Sequence, residues 1–447
     1  MFLLRTRSVT ALFACIACIV TCSSAIAFTT KHCSSKRIND DLNGLRYDSM
    51  ASDVACLAAG TQRKLFQGVL DNQTGHPSES AQLLRSLASA HNLSRAQSAL
   101  VLATLADDNV KLFEYRNASR YYERLLKDYS DQLSPEVRED DSNDNTVLRL
   151  LRDAPKQTSS VRSLVDLPLR RDPNGVYRLK LTVHGVTRDW IFDTGANHSV
   201  VSESFAKELG LKFSTMTAMT PGFGGASNLI HIAILDTLDI GSASVRNTVV
   251  LVVPDANLTI SRGGHSSVIP ALLGYPVYQA LGTIRFTASR HFFAGPMLKE
   301  AGRWSPIYMD KLNVLVVATV RNQRRSFQLD TGANKTVFYS RYRRDFPSDF
   351  SNSHSKGTLQ SSAVGGIVTS PVEYVEDAEI ALGGRETVLH HVPVQLDSAP
   401  DPSNRYEGNI GCDLLSLFNS ATFDFTNSRF YLGAPHNAKH SLEDVTP

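Results

Sequence analysis

The pentapeptide Asp193-Thr194-Gly195-Ala196-Asn197 returns letter for letter as Asp330-Thr331-Gly332-Ala333-Asn334. A single Asp-Thr-Gly is a tight turn, because Asp bonds its own backbone two residues on and Gly accepts positive φ. Recurrence of a given pentapeptide by chance is on the order of one in ten thousand at average residue usage, so the repeat is a signal. The chemistry open to it is that of two carboxylates. Facing each other about 3 Å apart in a partly dry cleft, they cannot both ionise and hold one proton between them. The ionised member then draws a proton from water. The protonated member hydrogen-bonds a carbonyl and gives up its proton as the tetrahedral species collapses. Such a reaction needs no metal, no cofactor and no covalent intermediate, and its apparent pKa values belong to the pair.

Positioning two such groups requires two equivalent supports, and the flanking sequence supplies them. Tyr177 to Val183, the polar pair His184-Gly185 and Val186 to Phe192 read as a hairpin running into the first motif. Val314 to Val320, the turn Arg321-Asn322-Gln323-Arg324 and Ser326 to Leu329 do the same for the second. Downstream stand Ala271-Leu272-Leu273-Gly274 and Asn409-Ile410-Gly411; 274 − 193 and 411 − 330 are both 81. A Leu-rich run and a terminal strand follow each glycine: Gly282 to Thr287 in one half, Ala421 to Thr426 in the other. Each half also carries a Gly-rich turn, Gly222 to Ala226 and Ala363 to Ile367, at the looser offsets of 31 and 35 residues to Gly224 and Gly365. One β-rich unit of roughly 130 residues is duplicated in a single chain.

Strand, Asp-Thr-Gly-Ala, glycine-tipped hairpin, apolar-apolar-Gly and final strand together resemble the retropepsin-like and pepsin-like aspartic peptidases, over about residues 165 to 435. The resemblance implies a mainly β, bilobal, pseudo-twofold fold of two β-barrel lobes, an intramolecular counterpart of the retroviral homodimer, so that the chain is expected to work as a monomer. It matches Asp193 and Asp330 to the catalytic pair and Thr194 and Thr331 to the threonines that brace the two loops. Gly224-Gly225 and Gly365-Gly366 match flap tips, where bare backbone closes over a peptide or protein substrate. Gly195 and Gly332 let backbone N–H groups approach the carboxylates. Asn197 and Asn334 stand where the retroviral pattern has a second acid, at a position that contacts substrate backbone.

In chain order, residues 1–27 read as a signal peptide with a basic start, a short apolar centre and Ala25-Ile26-Ala27, which implies export to a periplasm or the exterior. The alternatives are an uncleaved anchor or lipidation at Cys22, the only routes to a membrane considered. Loss of the leader removes Cys15, Cys18 and Cys22 and leaves Cys33 and Cys56 as a candidate disulfide, with Cys412 as a buried thiol on a core strand. Residues 28–152 carry apolar residues at helical spacing and form an all-helical domain. Phe113 to Tyr129 resembles half of a tetratricopeptide-type hairpin; a plain helical bundle accounts for the segment equally well. Glu136 to Asp144 reads as a solvated acidic loop. A linker at 153–164 leads to lobes at 165–300 and 301–436, and 437–447 is a tail. Within the first lobe, Ser202 caps a short helix that Gly210 ends, and the equivalent helix of the second bears Arg341, Arg343 and Arg344.

Other chemistries lack their residues. There is no His-Glu-x-x-His for a zinc peptidase, His390-His391 on one strand point to opposite faces, and no Gly-x-Ser-x-Gly is present. A net charge of +2 excludes a nucleic-acid footprint. Six Asn-x-Ser/Thr sequons, two of them inside the motifs, lean toward a bacterial exported protein. The expectation is an aspartic endopeptidase with Asp193 and Asp330 as its acid/base pair. Its rival is a silent peptide-binding protein of the same fold whose helical domain docks a protein partner.

Overall fold

Alternating burial builds the first hairpin. Tyr177, Leu179, Leu181 and Val183 are buried while Lys180 and Thr182 are exposed, the pattern of a strand with one face on a core. Strand Tyr177–Val183 pairs antiparallel with Val186–Phe192 across His184-Gly185, whose φ values of 48° and 80° suit the primed turn that matches strand twist. The second hairpin, Asn313–Val320 with Gln323–Leu329, turns on Arg321-Asn322 at φ 50° and 58°. Its turn is therefore two residues rather than the expected four; Gln323 and Arg324 are exposed strand residues, polar because their side of the strand meets water.

The computed structural model describes residues 34–436 apart from 215–216, 222–226, 263–264, 297, 351–354, 364–365 and 397–404. It is mainly β, a large sheet system preceded by a helical region. The two halves repeat one local topology. Val186–Phe192 pairs in parallel with Ala271–Leu273, which pairs antiparallel with Ser199–Ser202. Gln323–Leu329 pairs likewise with Gly408–Ile410, and that with Val337–Phe338. Each Asp-Thr-Gly thus leaves one strand of a three-strand clasp and returns as another. Gly274 and Gly411 close the clasp: a Cβ on Gly274 would collide with the His198 carbonyl, and one on Gly411 would lie 2.6 Å from that of Lys335.

A further sheet joins the halves. Thr283–Thr287 pairs antiparallel with Ser420–Asp424, Arg285 opposite Thr422. Outward on one side come His291–Ala294 and Val165–Arg171, and on the other Arg429–Leu432 and Ser305–Asp310. The order reads the same from either end. Phe192, Phe286, Phe292, Phe423 and Phe430 are buried in one continuous core that includes this sheet.

Among the described residues, seven α-helices precede the strands: α1 (Ser35–Asn43), α2 (Tyr47–Cys56), α3 (Thr61–Gln73), α4 (Pro77–Arg85), α5 (Arg95–Lys111), α6 (Tyr115–Asp128) and α7 (Pro135–Leu150). The expected acidic loop is instead α7: Ser134 caps it by accepting from the Val137 N–H, and Pro135 fills the first helical position. Asp141 of α7 is buried, and with Asp144 it receives the Lys311 ammonium at 3.1 and 2.7 Å. The expected linker is partly sheet, since Thr158–Val161 pairs with Ala243–Val253. Cys412 opens a short helix, Cys412–Leu415, rather than lying on a strand, because the chain turns at Gly411. Cys56 ends α2 and is disulfide-bonded; Cys33 lies outside the described residues, as do the leader and the tail.

The helical region packs on the outer faces of both halves. Along Ala243–Val253, Val250 and Val252 face the central core, while Val249 and Leu251 join a second cluster with side chains of α5, α6 and α7. Ile191, Val200 and Leu272 belong to that cluster, and Ala196 packs against it. Helices α1 to α5 share a third cluster with Tyr308, Leu315, Val337 and Tyr406 of the second half. Helix α5 contributes Leu102 and Ala106 to one cluster and Val101 and Leu105 to the other, so it straddles the two halves. Polar pins add to this contact: Asp48 to Arg324 at 2.7 Å, and the Ser326 hydroxyl donating to the Leu45 carbonyl at 2.9 Å.

Replacing Lys311 by Ala leaves Asp141 buried without its cation. The lysine side chain is 38% exposed, so solvent screening holds the expected loss to about 1–2 kcal/mol, read as a lowered denaturation midpoint. Lys311→Arg is expected to restore most of it.

Candidate active site

The two motif loops meet head to head. The Thr194 N–H donates to the Thr331 hydroxyl at 2.9 Å, and the Thr331 N–H donates to the Thr194 hydroxyl at 3.1 Å. Each hydroxyl then donates onward across the boundary: Thr194 to the Leu329 carbonyl and Thr331 to the Phe192 carbonyl, both at 2.9 Å. Both threonines are wholly buried, where an unmade hydrogen bond is costly, so the four bonds clamp the loops.

Above this clamp stand the two aspartates. The Asp193 N–H donates to the Leu273 carbonyl at 3.2 Å and that of Asp330 to the Ile410 carbonyl at 3.0 Å, which anchors each at the end of its parallel strand pair. Gly195 N–H donates to Asp193 Oδ1 at 2.8 Å; Gly332 and Ala333 N–H donate to Asp330 Oδ1 at 2.9 and 3.0 Å. The glycines serve the opposite carboxylate. A Cβ on Gly195 would sit 2.6 Å from Asp330 Cγ, and one on Gly332 2.5 Å from Asp193 Cγ. Only bare backbone leaves room for the opposite carboxyl at that distance.

Their electrostatics follow from that closeness. Burial, and next the negative charge of Asp330, hold the Asp193 carboxyl well above the usual carboxylate range, opposed by the Gly195 and Ala196 N–H groups. Burial raises Asp330 as well, but the Asn409 amide and the Gly332 and Ala333 N–H groups oppose it. Both residues remain partly accessible to solvent.

The remaining residues singled out from the sequence are spread more widely. Asn334 is exposed and donates to the Asn174 carbonyl at 2.7 Å, while Asn197 is exposed beside the first loop. Gly224, Gly225 and Gly365 lie outside the described residues. On either side of them, Pro221 pairs antiparallel with Ser227 and Ala363 with Gly366. Two of the three arginines of helix Ser340–Asp345 are in ion pairs: Arg341 with Glu407 and Asp345, Arg343 with Glu373.

Several supporting residues escaped the sequence reading. The Gly274 N–H donates to the Ser199 hydroxyl and the Gly411 N–H to that of Thr336, each at 3.1 Å. Both hydroxyls stand six residues past their aspartates, an offset that was available to find them. The Tyr278 hydroxyl, 3.0 Å from the Asp193 N–H, donates to the Leu273 carbonyl. The Cys412 thiol donates to the Thr331 carbonyl at 3.1 Å, and burial pushes its pKa up, so it is a support and not a nucleophile. A surface hollow of about 440 Å³ lined by Lys180, Thr182, His184 and Asp239 contains none of the motif residues.

One comparison supports an aspartic-protease-like class. A family model described as aspartyl protease matches residues 179–277, the stretch that holds the first motif and its returning strand. No curated protein matches. Among solved structures, the chain is similar to basic 7S globulin from soybean at 12% identity and a TM-score of 0.38, covering 61% of this chain and 94% of that one. It is likewise similar to conglutin gamma, a basic 7S globulin from lupine seeds, at 13% identity and a TM-score of 0.38, covering 61% and 95%.

Thr194→Val removes the hydroxyl that both the Thr331 N–H and the Leu329 carbonyl use. A loss of about 2–4 kcal/mol is expected by chemical denaturation, and Thr194→Ser, which keeps the oxygen, is expected to stay within about 1 kcal/mol of the parent.

Proposed function

We propose that this protein is an exported, two-lobed aspartic endopeptidase. The observation that carries the reading is the pairing of Asp193 with Asp330 over the reciprocal threonine clamp, each carboxyl lying over the glycine of the opposite motif. Two carboxyls that share one proton supply a base for water and an acid for the scissile carbonyl in a single ionisation state. The partial exposure of both aspartates supports entry of water. In this reading the duplicated clasps are the lobes of one monomer, the glycine-rich hairpins close over an extended peptide, and the leader directs the chain out of the cytoplasm.

One observation favours a second reading, a silent peptide-binding relative. Leu272 and Ala196, beside the first aspartate, already pack in a cluster with α5, α6 and α7. A substrate must run past these helices or move them. A protein that had given up turnover for partner docking through its helical region tolerates such cover more easily.

Cleavage of a denatured protein mixture separates the two. The intact chain is expected to cut it and to be blocked by pepstatin-type inhibitors, while Asp193→Asn and Asp330→Asn lose at least about 1000-fold in kcat/KM; retained cleavage in either variant removes the mechanism. The dyad also marks stability. Asp193 is raised in the folded state above its ordinary 3.8, so the native state binds the proton more tightly. Its stabilising contribution is complete below that value and is lost as pH climbs through the folded pKa. The melting temperature of the parent is therefore expected to fall relative to Asp193→Asn as pH rises from about 4 to 7.

A further inference from the structure

The local twofold is broken at one position beside the dyad. Two residues before the closing glycine of each clasp stand Leu272 and Asn409, in register with Ile191 and Gln328, which lie two residues before their aspartates. Asn409 is buried, at 8% exposure. Its side-chain orientation is settled by its neighbours: the Val337 N–H needs an acceptor and meets Oδ1 at 3.2 Å, which leaves Nδ2 to donate to Asp330 Oδ2 at 3.3 Å. Leu272 offers no polar atom to Asp193. It is buried instead in the apolar cluster that holds α5, α6 and α7.

We propose that Asn409 is a positioning residue that polarises the dyad, holding Asp330 as the ionised member and leaving Asp193 as the member that carries the proton. An amide NH2 only donates, so it favours the charged form of its partner. Asp330 then has both oxygens engaged, Oδ1 by the Gly332 and Ala333 N–H groups and Oδ2 by Asn409. Asp193, with an apolar neighbour in place of the amide, is the better home for the proton. In the peptidase reading, on which the kinetic consequence rests, Asp330 is the base for water and Asp193 the acid toward the scissile carbonyl. Among the described residues near the pair, His198 is held below the usual imidazole range by burial, opposed by the Asp144 charge, and carries no label that overlaps the carboxyl signals. Tyr278 and the Cys412 thiol contact the two loops, and burial raises both pKa values, so they stay neutral in acid. Asp413 accepts from the Thr336 N–H and hydroxyl, Arg171 donates to the Gly175 carbonyl and lies over the Tyr177 ring, and Asn174 and Asn334 do not titrate.

The test is a site-resolved carboxyl titration of the full chain labelled with 13C at aspartate Cγ, the two resonances being assigned with Asp193→Asn and Asp330→Asn. Asp330 is expected to account for the lower ionisation step and Asp193 for the upper. Asn409→Leu, which copies the other half, is expected to raise the lower step by about one pH unit, equivalent to a tenfold change in proton affinity. Leu272→Asn, which leaves Asn409 in place, is expected to lower the upper step and spread both steps over both carboxyls; it carries the test should Asn409→Leu fail to fold. A lower step that belongs to Asp193, or one unmoved by either variant, overturns the proposal. The readout needs no turnover. If the parent cleaves nothing yet titrates as described, the peptidase reading fails and this one stands; if it cleaves but the carboxyls titrate alike, the reverse holds. In a cleaving enzyme, the acid limb of kcat/KM is expected to shift upward by the same unit in Asn409→Leu, a change that loss of folded protein alone does not produce.

Discussion

Everything at the centre of this molecule depends on four buried hydrogen bonds made by two hydroxyls. Thr194 and Thr331 each accept from the other loop's backbone and donate to the carbonyl that precedes the other loop's aspartate. A hydroxyl is the smallest group able to do both at once, and complete burial makes either failure costly. The clamp ties Phe192 to Thr331 and Leu329 to Thr194, so neither half of the chain sets its aspartate without the other. Whatever the pair does chemically, its separation is dictated here.

Around that clamp the structure is a set of close approaches that only glycine permits. Gly195 and Gly332 lie under the opposite carboxylates; Gly274 and Gly411 lie against the backbone of the returning segment. Their amides are used as well as their emptiness: those of Gly195 and Gly332 reach the aspartates, and those of Gly274 and Gly411 reach Ser199 and Thr336. Function and fold therefore share atoms. A methyl group at any of the four positions disturbs the carboxyl pair and the clasp together.

Much of this was legible in the sequence because it is local and repeated. The pentapeptide, the alternation of Tyr177–Val183 and the equal spacing of 81 residues to Gly274 and Gly411 each report a short-range constraint, and duplication states it twice. Misreadings occurred where a distant partner decided the outcome. Glu136 to Asp144 reads as a solvated loop because a run of acids rarely supplies a buried residue, yet Lys311, remote in sequence, pairs with the buried Asp141 and with Asp144 there. The strands Thr283–Thr287 and Ser420–Asp424 were visible as strands, but their pairing with each other, which joins the halves, leaves no local trace. Asn409 was passed over for the opposite reason: it stands in an apolar-apolar-Gly pattern that invites attention to the glycine.

The helical region and the asymmetry of the dyad are linked by one residue type. Leu272 is apolar and its face joins the cluster with α5, α6 and α7. Its counterpart Asn409 accepts from Val337 and donates to Asp330. Burial raises both carboxyls, and the Asn409 amide moderates that effect at Asp330. Docking the helices on the first half therefore does more than cover a sheet. It keeps Leu272 apolar where the other half has an amide, and a shared proton settles on the carboxyl with fewer donors to its charged form.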